Sequence, residues 1–356
     1  VLLLLAFFLA FFYGALTHHS RFCTMGALAD WAYTGDTVRL RMWVLAVVVA
    51  MLGFNAMVAM GLISPEKSLY TRPRLPWLAL ILGGFMFGWG MVWASGCGSR
   101  SLTRLGTGNL KALVVIGAMA FAGMTALHGL VAVWNAQWLD RFTIILPATQ
   151  DLPSLIAWSI GGDRAQWVLK VGSGLAVLLG LWAWTSPAAR TPAVWGGGLG
   201  VGAMIVAYWW LSGVLAYVPE HPETLQEAFL GTRSNRMESF TFVAPVAYSL
   251  DWLMYFSDQS RTLTMAIVTI PGVILGAAVM AFLTGTFQWQ GFQTTQDFVH
   301  HLVGGLMMGC GGVLAWGCTI GQGITGVSTL SIGSFLALAA MVLGAWSALK
   351  YQWLRA

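Results

Sequence analysis

Charge is scarce in this chain. Its 356 residues include 18 Lys or Arg and 13 Asp or Glu, so only 9% are charged. A water-soluble domain carries about 25%, and that class is excluded. Cysteine is scarce too. Four residues are too few for a disulfide scaffold in a chain of this size, and Cys23, Cys97 and Cys318 adjoin apolar segments. The sequence has no P-loop, no Gly-x-Ser-x-Gly elbow and no His-Glu-x-x-His, which removes the usual signatures of ATPases, hydrolases and zinc proteases. The doublets His18-His19 and His300-His301 lack the ligand spacing of a metal site. No metal, cofactor or catalytic residue is therefore expected. Basic residues are scattered among loops and do not interleave with aromatics, so the net charge of +5 is no sign of nucleic acid.

What is present is apolar. Hydrophobic residues make up 58% of the chain, and mean hydropathy is +0.74. Many charge-free windows can cross a hydrocarbon core about 30 Å thick, which makes the lipid bilayer the solvent. The expected fold is an all-α polytopic membrane protein. Nine spans are read at 1–17, 42–63, 76–95, 109–134, 167–185, 193–218, 262–284, 300–316 and 330–352. Four weaker stretches, 20–34, 98–106, 238–255 and 319–327, are too short to cross and read as re-entrant helices. Irregular backbone persists at membrane depth only where it is buried in protein or lines a cavity. The 19 Trp suit an interfacial belt, and the 43 Gly suit close helix contact in lipid. Two polar stretches, 135–166 and 219–239 (the second holding Glu223), read as loops outside the membrane. Val1 opens inside an apolar run with no small-residue cleavage site after it. That run reads as a span with a trimmed start, not as a signal peptide.

One stretch recurs. Residues 83–97 read GGFMFGWGMVWASGC and residues 304–318 read GGLMMGCGGVLAWGC, identical at nine of fifteen positions at an offset of 221. Asp30-Trp31 matches Asp251-Trp252 at the same offset. With one inserted residue, Asp36 and Arg39 match Asp258 and Arg261, which predicts two corresponding i, i+3 ion pairs. The unit covers four spans and leaves a fifth between the copies. Residues 1–134 are then a first repeat, 135–192 a linker loop and central helix, and 193–356 a second repeat. A displacement of five spans reverses the second copy, which makes an inverted-topology repeat with its site at the repeat interface. Lys and Arg number nine on each side, Arg355 among them. Discounting those in the long polar loops puts the N-terminus outside and the C-terminus inside.

Cys97 and Cys318 fall where a matched span stops and a short element begins. Gly96, Gly98, Gly317, Gly321 and Gly323 let backbone approach a bound group. The short elements aim helix N-termini at it, a setting for an anion that needs no buried lysine. Gln322 adds a hydrogen-bonding amide. Cys23 lies in the first short element, and its mate by offset is Ala244. Arg21, Arg100 and Arg104 read as vestibule charges that gather anions. Cys310, His128 and Asn55 read as packing groups inside spans.

Arg-Phe-Cys at 21–23, Ser-Gly-Cys-Gly-Ser-Arg at 95–100 and Trp-Gly-Cys-Thr-Ile-Gly-Gln-Gly at 316–323 resemble the YeeE/YedE sulfur-transport family of bacterial inner-membrane proteins. The likeness extends over nearly the whole chain. It implies an hourglass of inverted repeats with short helices entering from both sides. It also implies thiosulfate, or a related sulfur anion, passing Cys23, Cys97 and Cys318 by S–H hydrogen bonds. A cytosolic sulfur acceptor of the TusA-like type is the partner it implies. Gln322 departs from the family pattern, which often has His there. A competing reading makes one cysteine a persulfide-forming sulfurtransferase nucleophile. No general base is visible beside any Cys, which favours passage over an enzyme.

Overall fold

The computed structural model describes residues 1–221, 225–258 and 261–354; Glu223 and Arg355 lie outside them. In chain order the helices are α1 (Leu2–His19), α2 (Thr24–Thr34), α3 (Val38–Ala59), α4 (Trp77–Trp93), α5 (Gly98–Gly106), α6 (Leu110–His128) and α7 (Leu130–Trp134). They continue as α8 (Leu152–Ile160), α9 (Arg164–Trp184), α10 (Pro192–Trp210), α11 (Val243–Met254), α12 (Met265–Leu283), α13 (Thr295–Leu314) and α14 (Ile332–Trp353). Among the described residues the fold is all-α apart from two short two-stranded ladders, Arg74–Leu75 with Ile144–Ile145 and Tyr217–Val218 with Ala228–Phe229. Each weak stretch of the sequence is a short element: α2, α5, α11 and the π-helical segment Gly321–Gly326.

Among the described residues, eight helical stretches are long and apolar enough to cross a membrane. The span read from the sequence at 300–316 lies in α13, which is not among those eight. It opens on Thr295, Gln296, Asp297, His300 and His301, and those polar turns lower its mean hydropathy.

Small residues set the packing. Lipid tails supply no hydrophobic drive between helices, so association relies on close backbone contact. A Cβ on Gly83 would lie 2.6 Å from Ala315 N, and one on Gly304 would lie 2.7 Å from Ala94 N. A Cβ on Gly90 would lie 2.7 Å from Gly304 O, and one on Gly311 would lie 2.6 Å from Gly83 O. These contacts make α4 and α13 antiparallel, and each maps onto its mate at the 221-residue offset. Gly84 and Gly88 fit successive turns of α14, at Ala340 and Ala345, so α4 and α14 run parallel. Gly305 and Gly309 fit α6 at Ala118 and Ala122 in the same sense. The outer pairs correspond as well, with α1 against α12 and α10 against α3, while α9 packs on α3.

One sequence expectation is corrected. Arg39 pairs with Asp30 at 3.0 Å, not with Asp36. The Asp36 carboxylate instead accepts from Val38 N at 2.9 Å, capping the start of α3. Arg261 lies 3.8 Å from Asp258 and closer, 3.2 Å, to Asp251. The pairs that correspond at the repeat offset are thus Asp30–Arg39 and Asp251–Arg261, the first fastening α2 to the start of α3 and the second fastening α11 to the loop that leads into α12.

Candidate functional site: three cysteine corners

Cys23, Cys97 and Cys318 occupy the same kind of corner. In each, a long helix ends on a left-handed residue: Arg21 (φ 53°), Ser95 (φ 55°) or Trp316 (φ 58°). The N–H of that residue bonds to His18 O, Val92 O or Val313 O, at 3.2, 3.1 and 3.0 Å. The next N–H reaches back to Thr17 O, Met91 O or Gly312 O, at 3.1, 2.8 and 2.8 Å. This double closure is the Schellman helix end, whose left-handed position is normally glycine. None of the three is glycine, and a side chain there costs about 1–2 kcal/mol.

Two residues after the left-handed position comes the cysteine, which starts the next element. The Cys23 sulfur accepts from Gly26 N at 3.3 Å at the start of α2. The Cys318 sulfur accepts from Gly321 N at 3.4 Å. Cys97 is the N-cap of α5, and its sulfur takes no capping hydrogen bond. All three thiols therefore lie at the positive ends of short elements. The fourth place in this pattern is filled differently. After α10 the chain runs through a π-helical segment, Leu211–Leu215, and a long loop, and the cap of α11 is Phe242.

The corners converge. Cys23 faces Cys97, and Cys97 also faces Thr319. Tyr13 is within electrostatic reach of all three thiols. Its ring stacks on Phe240 at 4.9 Å and lies 5.4 Å from Phe242, and its hydroxyl meets Ser99 Oγ at 3.0 Å. Thr241 Oγ1 lies 4.0 Å from the Cys318 sulfur. Cys97 and Cys318 are buried, Cys23 partly so, and all four cysteines are free thiols. Cys310 is apart from them, its thiol directed at Ala122 O on α6.

Several buried polar atoms around the thiols have no hydrogen-bond partner: Thr24 Oγ1, Thr319 Oγ1, Tyr70 OH, Gln322 Oε1 and Ser334 Oγ. Such orphans are rare in folded proteins and cost about 1–3 kcal/mol each. Thr24 follows Cys23 and Thr319 follows Cys318 directly. Tyr70, Gln322 and Ser334 line one narrow cleft behind Trp316. A second cleft shares Pro76 and Trp316 with it and is lined by Arg72 and Arg74. The Arg72 guanidinium stands 6.0 Å over the Trp316 ring.

The other residues named from sequence have varied surroundings. Gln322 donates from Nε2 to Ala315 O at 2.6 Å, which leaves Oε1 as the orphan. A Cβ on Gly321 would meet Thr241 Oγ1 at 2.5 Å, and one on Gly323 would meet the Trp43 ring at 2.9 Å. Gly96 is tight against Arg100 and Gly317 against Gln322 and the Gly321 backbone, all within their own corners, and Gly98 has ordinary room beside Met119. Arg104 is tied to the end of α4 through Ser95 O at 3.1 Å. Arg100 is half-buried beside Gly96, and Arg21 is exposed. Sequence reasoning missed Tyr13, Tyr70, Thr241, Thr319, Arg72 and Arg74. For Thr319 there was a signal, since a threonine follows both Cys23 and Cys318.

A helical, polytopic membrane protein with a cluster of free, largely buried thiols is thus defined. The model of the family described as Sulphur transport matches residues 19–347, and the chain belongs to that family. Two relatives named thiosulfate transporter TsuA align along nearly all of it. The protein of Spirochaeta thermophila is 27% identical over 347 residues, 95% of each chain. The protein of Escherichia coli is 22% identical over 346 residues, 94% of this chain and 90% of that one. Both are named as transporters, not as enzymes.

Proposed function

We propose that this protein takes up thiosulfate, or a closely related sulfur anion, across a bacterial inner membrane, along a path through the three cysteine corners. The supporting observation is the run of buried oxygens without partners beside the thiols. Thr24, Thr319, Tyr70, Gln322 and Ser334 carry unmet hydrogen-bonding capacity, and a polar solute moving past them would meet it. Thiosulfate is a dianion with a hard sulfonate and a soft terminal sulfur. Hydroxyl and amide groups suit the first, and thiols suit the second. Weak, repeated donors let an ion enter and also leave, whereas a fork of buried arginines would hold it.

In this reading the basic groups stand at the two mouths. Arg72 and Arg74 gather the anion on the outer side, and Arg21, Arg100 and Arg104 face the inner side. The N-terminus is outside and the C-terminus inside. Residues 1–134 and 193–356 act as inverted repeats about the α4–α13 crossing, with 135–192 as the linker, and α2, α5, α11 and 319–327 are re-entrant. A TusA-like acceptor takes the sulfur on the inner side. The names of the two relatives support thiosulfate as the solute, and the antiparallel α4–α13 contact supports the inverted repeat.

The test is growth of a sulfur-auxotrophic host on thiosulfate as sole sulfur source. Cys97→Ala and Cys318→Ala are expected to give folded, membrane-inserted protein and no growth. Normal growth with both variants would sink the proposal.

A further inference from the structure

Glu238 is a buried carboxylate, 8% exposed, in the loop between α10 and α11. Its side chain accepts one hydrogen bond, from Ser234 Oγ at 3.3 Å. Among the described residues no cation pairs with it. Arg233 is spent on Asp251 at 2.7 Å, Arg236 on Glu66 O at 2.9 Å, and Lys67 on Glu227. The ionisable groups facing Glu238 are three tyrosines, Tyr70, Tyr208 and Tyr248, from the 64–76 loop, α10 and α11. Burial without a counter-charge pushes the Glu238 carboxyl up to about 7, and the Ser234 hydroxyl offsets this only in part.

This carboxylate is wired to the thiol cluster. From Glu238 the chain runs directly along the cluster. Ser239 Oγ donates to Ile205 O at 2.9 Å, Phe240 O accepts from Thr325 Oγ1 at 2.9 Å, Thr241 meets Cys318, and Phe242 lies against Tyr13. On its other side, Leu69 N bonds to Met237 O at 3.2 Å and sets Tyr70 next to Glu238. Tyr70 interacts with both Glu238 and Cys318, and its hydroxyl is one of the orphans of the narrow cleft.

We infer that Glu238 is a proton site coupled to anion occupancy of the Tyr70–Cys318 region, so that anion binding draws protons onto it. The inference rests on the anion-transport reading above. The sign follows from charge. A dianion beside Tyr70 disfavours ionised Glu238 and draws a proton to it. By linkage, neutral Glu238 strengthens anion binding to the same degree. Affinity is therefore high below the Glu238 titration and falls as pH rises through it.

The experiment is titration of the purified full chain in lipid nanodiscs with sodium thiosulfate, by calorimetry from pH 5.5 to 8.5. Wild type is expected to bind about tenfold more weakly at the alkaline end, the factor that ~1.4 kcal/mol of repulsion produces. Repeating pH 7 in buffers of different ionisation enthalpy should reveal proton uptake. Glu238→Gln should bind at every pH about as tightly as wild type does at pH 5.5, with no proton uptake. Ser234→Ala, which removes a partner of the ionised form, should move the midpoint to higher pH and serves if Glu238→Gln fails to fold. A Glu238→Gln protein with the wild-type pH profile, or an unmoved midpoint in Ser234→Ala, overturns the assignment of Glu238 alone. Absence of thiosulfate binding to wild type at any pH overturns the transport reading together with it.

Discussion

Ser95 and Trp316 hold the same left-handed backbone, φ 55° and 58°, at positions 221 residues apart, each two residues before a cysteine. The same closure recurs at Arg21 before Cys23. Left-handed Ser, Trp and Arg are costlier than the Gly expected there, so the strain is tolerated only because the neighbouring helices fix both sides of the turn.

Ser95 is exposed, which makes it the clean test of that strain. Ser95→Gly should leave the melting temperature unchanged or slightly raised. Ser95→Val, β-branched at positive φ, should lose about 1–2 kcal/mol. Thermal unfolding of the two purified variants decides it, and equal melting would mean that the turn is not strained.

The glycines of α4 make a second, sharper contrast. A Cβ on Gly88 would stand 2.1 Å from Met341 O, a backbone atom of α14 that cannot rotate away. On Gly117 of α6 a Cβ meets nothing within 4 Å. Gly88→Ala should therefore cost about 1–3 kcal/mol or more by forcing α4 from α14. Gly117→Ala should gain up to about 1 kcal/mol from helix propensity. Comparable stability of the two variants, followed by unfolding in detergent, would refute the packing argument.

Much of this architecture was legible because lipid imposes simple rules. Spans declare themselves by length and lack of charge, and the 83–97 and 304–318 stretches declare their kinship by identity. The corners were not legible. Their likeness lies in backbone closure, and Arg21, Ser95 and Trp316 share no side-chain chemistry that would betray a common φ. For the same reason Cys23 looked unmatched, since its offset mate is Ala244 while its counterpart as a helix cap is Phe242. Tyr13, Phe240 and Phe242 were hidden because aromatics in apolar runs look like ordinary packing. The Asp30–Arg39 pair was missed because the chain turns back between α2 and α3, so a partner nine residues away comes nearer than one three away.

The two corresponding ion pairs differ in burial, which separates their expected effects. Asp251 is 2% exposed and holds both Arg233 and Arg261, whereas Asp30 and Arg39 are 29% and 41% exposed. Asp251→Asn leaves the Arg233 guanidinium without a carboxylate and Arg261 with only the more distant Asp258, and should cost about 3–5 kcal/mol. Asp30→Asn should cost no more than about 1 kcal/mol, and less at high salt. Denaturation of each variant at low and high ionic strength checks this, and a loss at Asp30 as large as that at Asp251 would contradict it.

Thr319 allows stability and transport to be separated. It is 1% exposed, faces Cys97, and its hydroxyl has no partner. In the fold that hydroxyl is a cost, so Thr319→Val, which keeps the shape and removes the oxygen, should leave stability unchanged or raise it by about 1 kcal/mol. If the hydroxyl serves a passing anion, thiosulfate uptake should fall about tenfold, what ~1.4 kcal/mol of lost contact produces. Thr319→Ser should retain most of the uptake. Radiolabelled uptake in cells, read beside thermal unfolding of the same variants, distinguishes the outcomes. A destabilised Thr319→Val protein with wild-type uptake would assign the hydroxyl to the fold and remove it from the path.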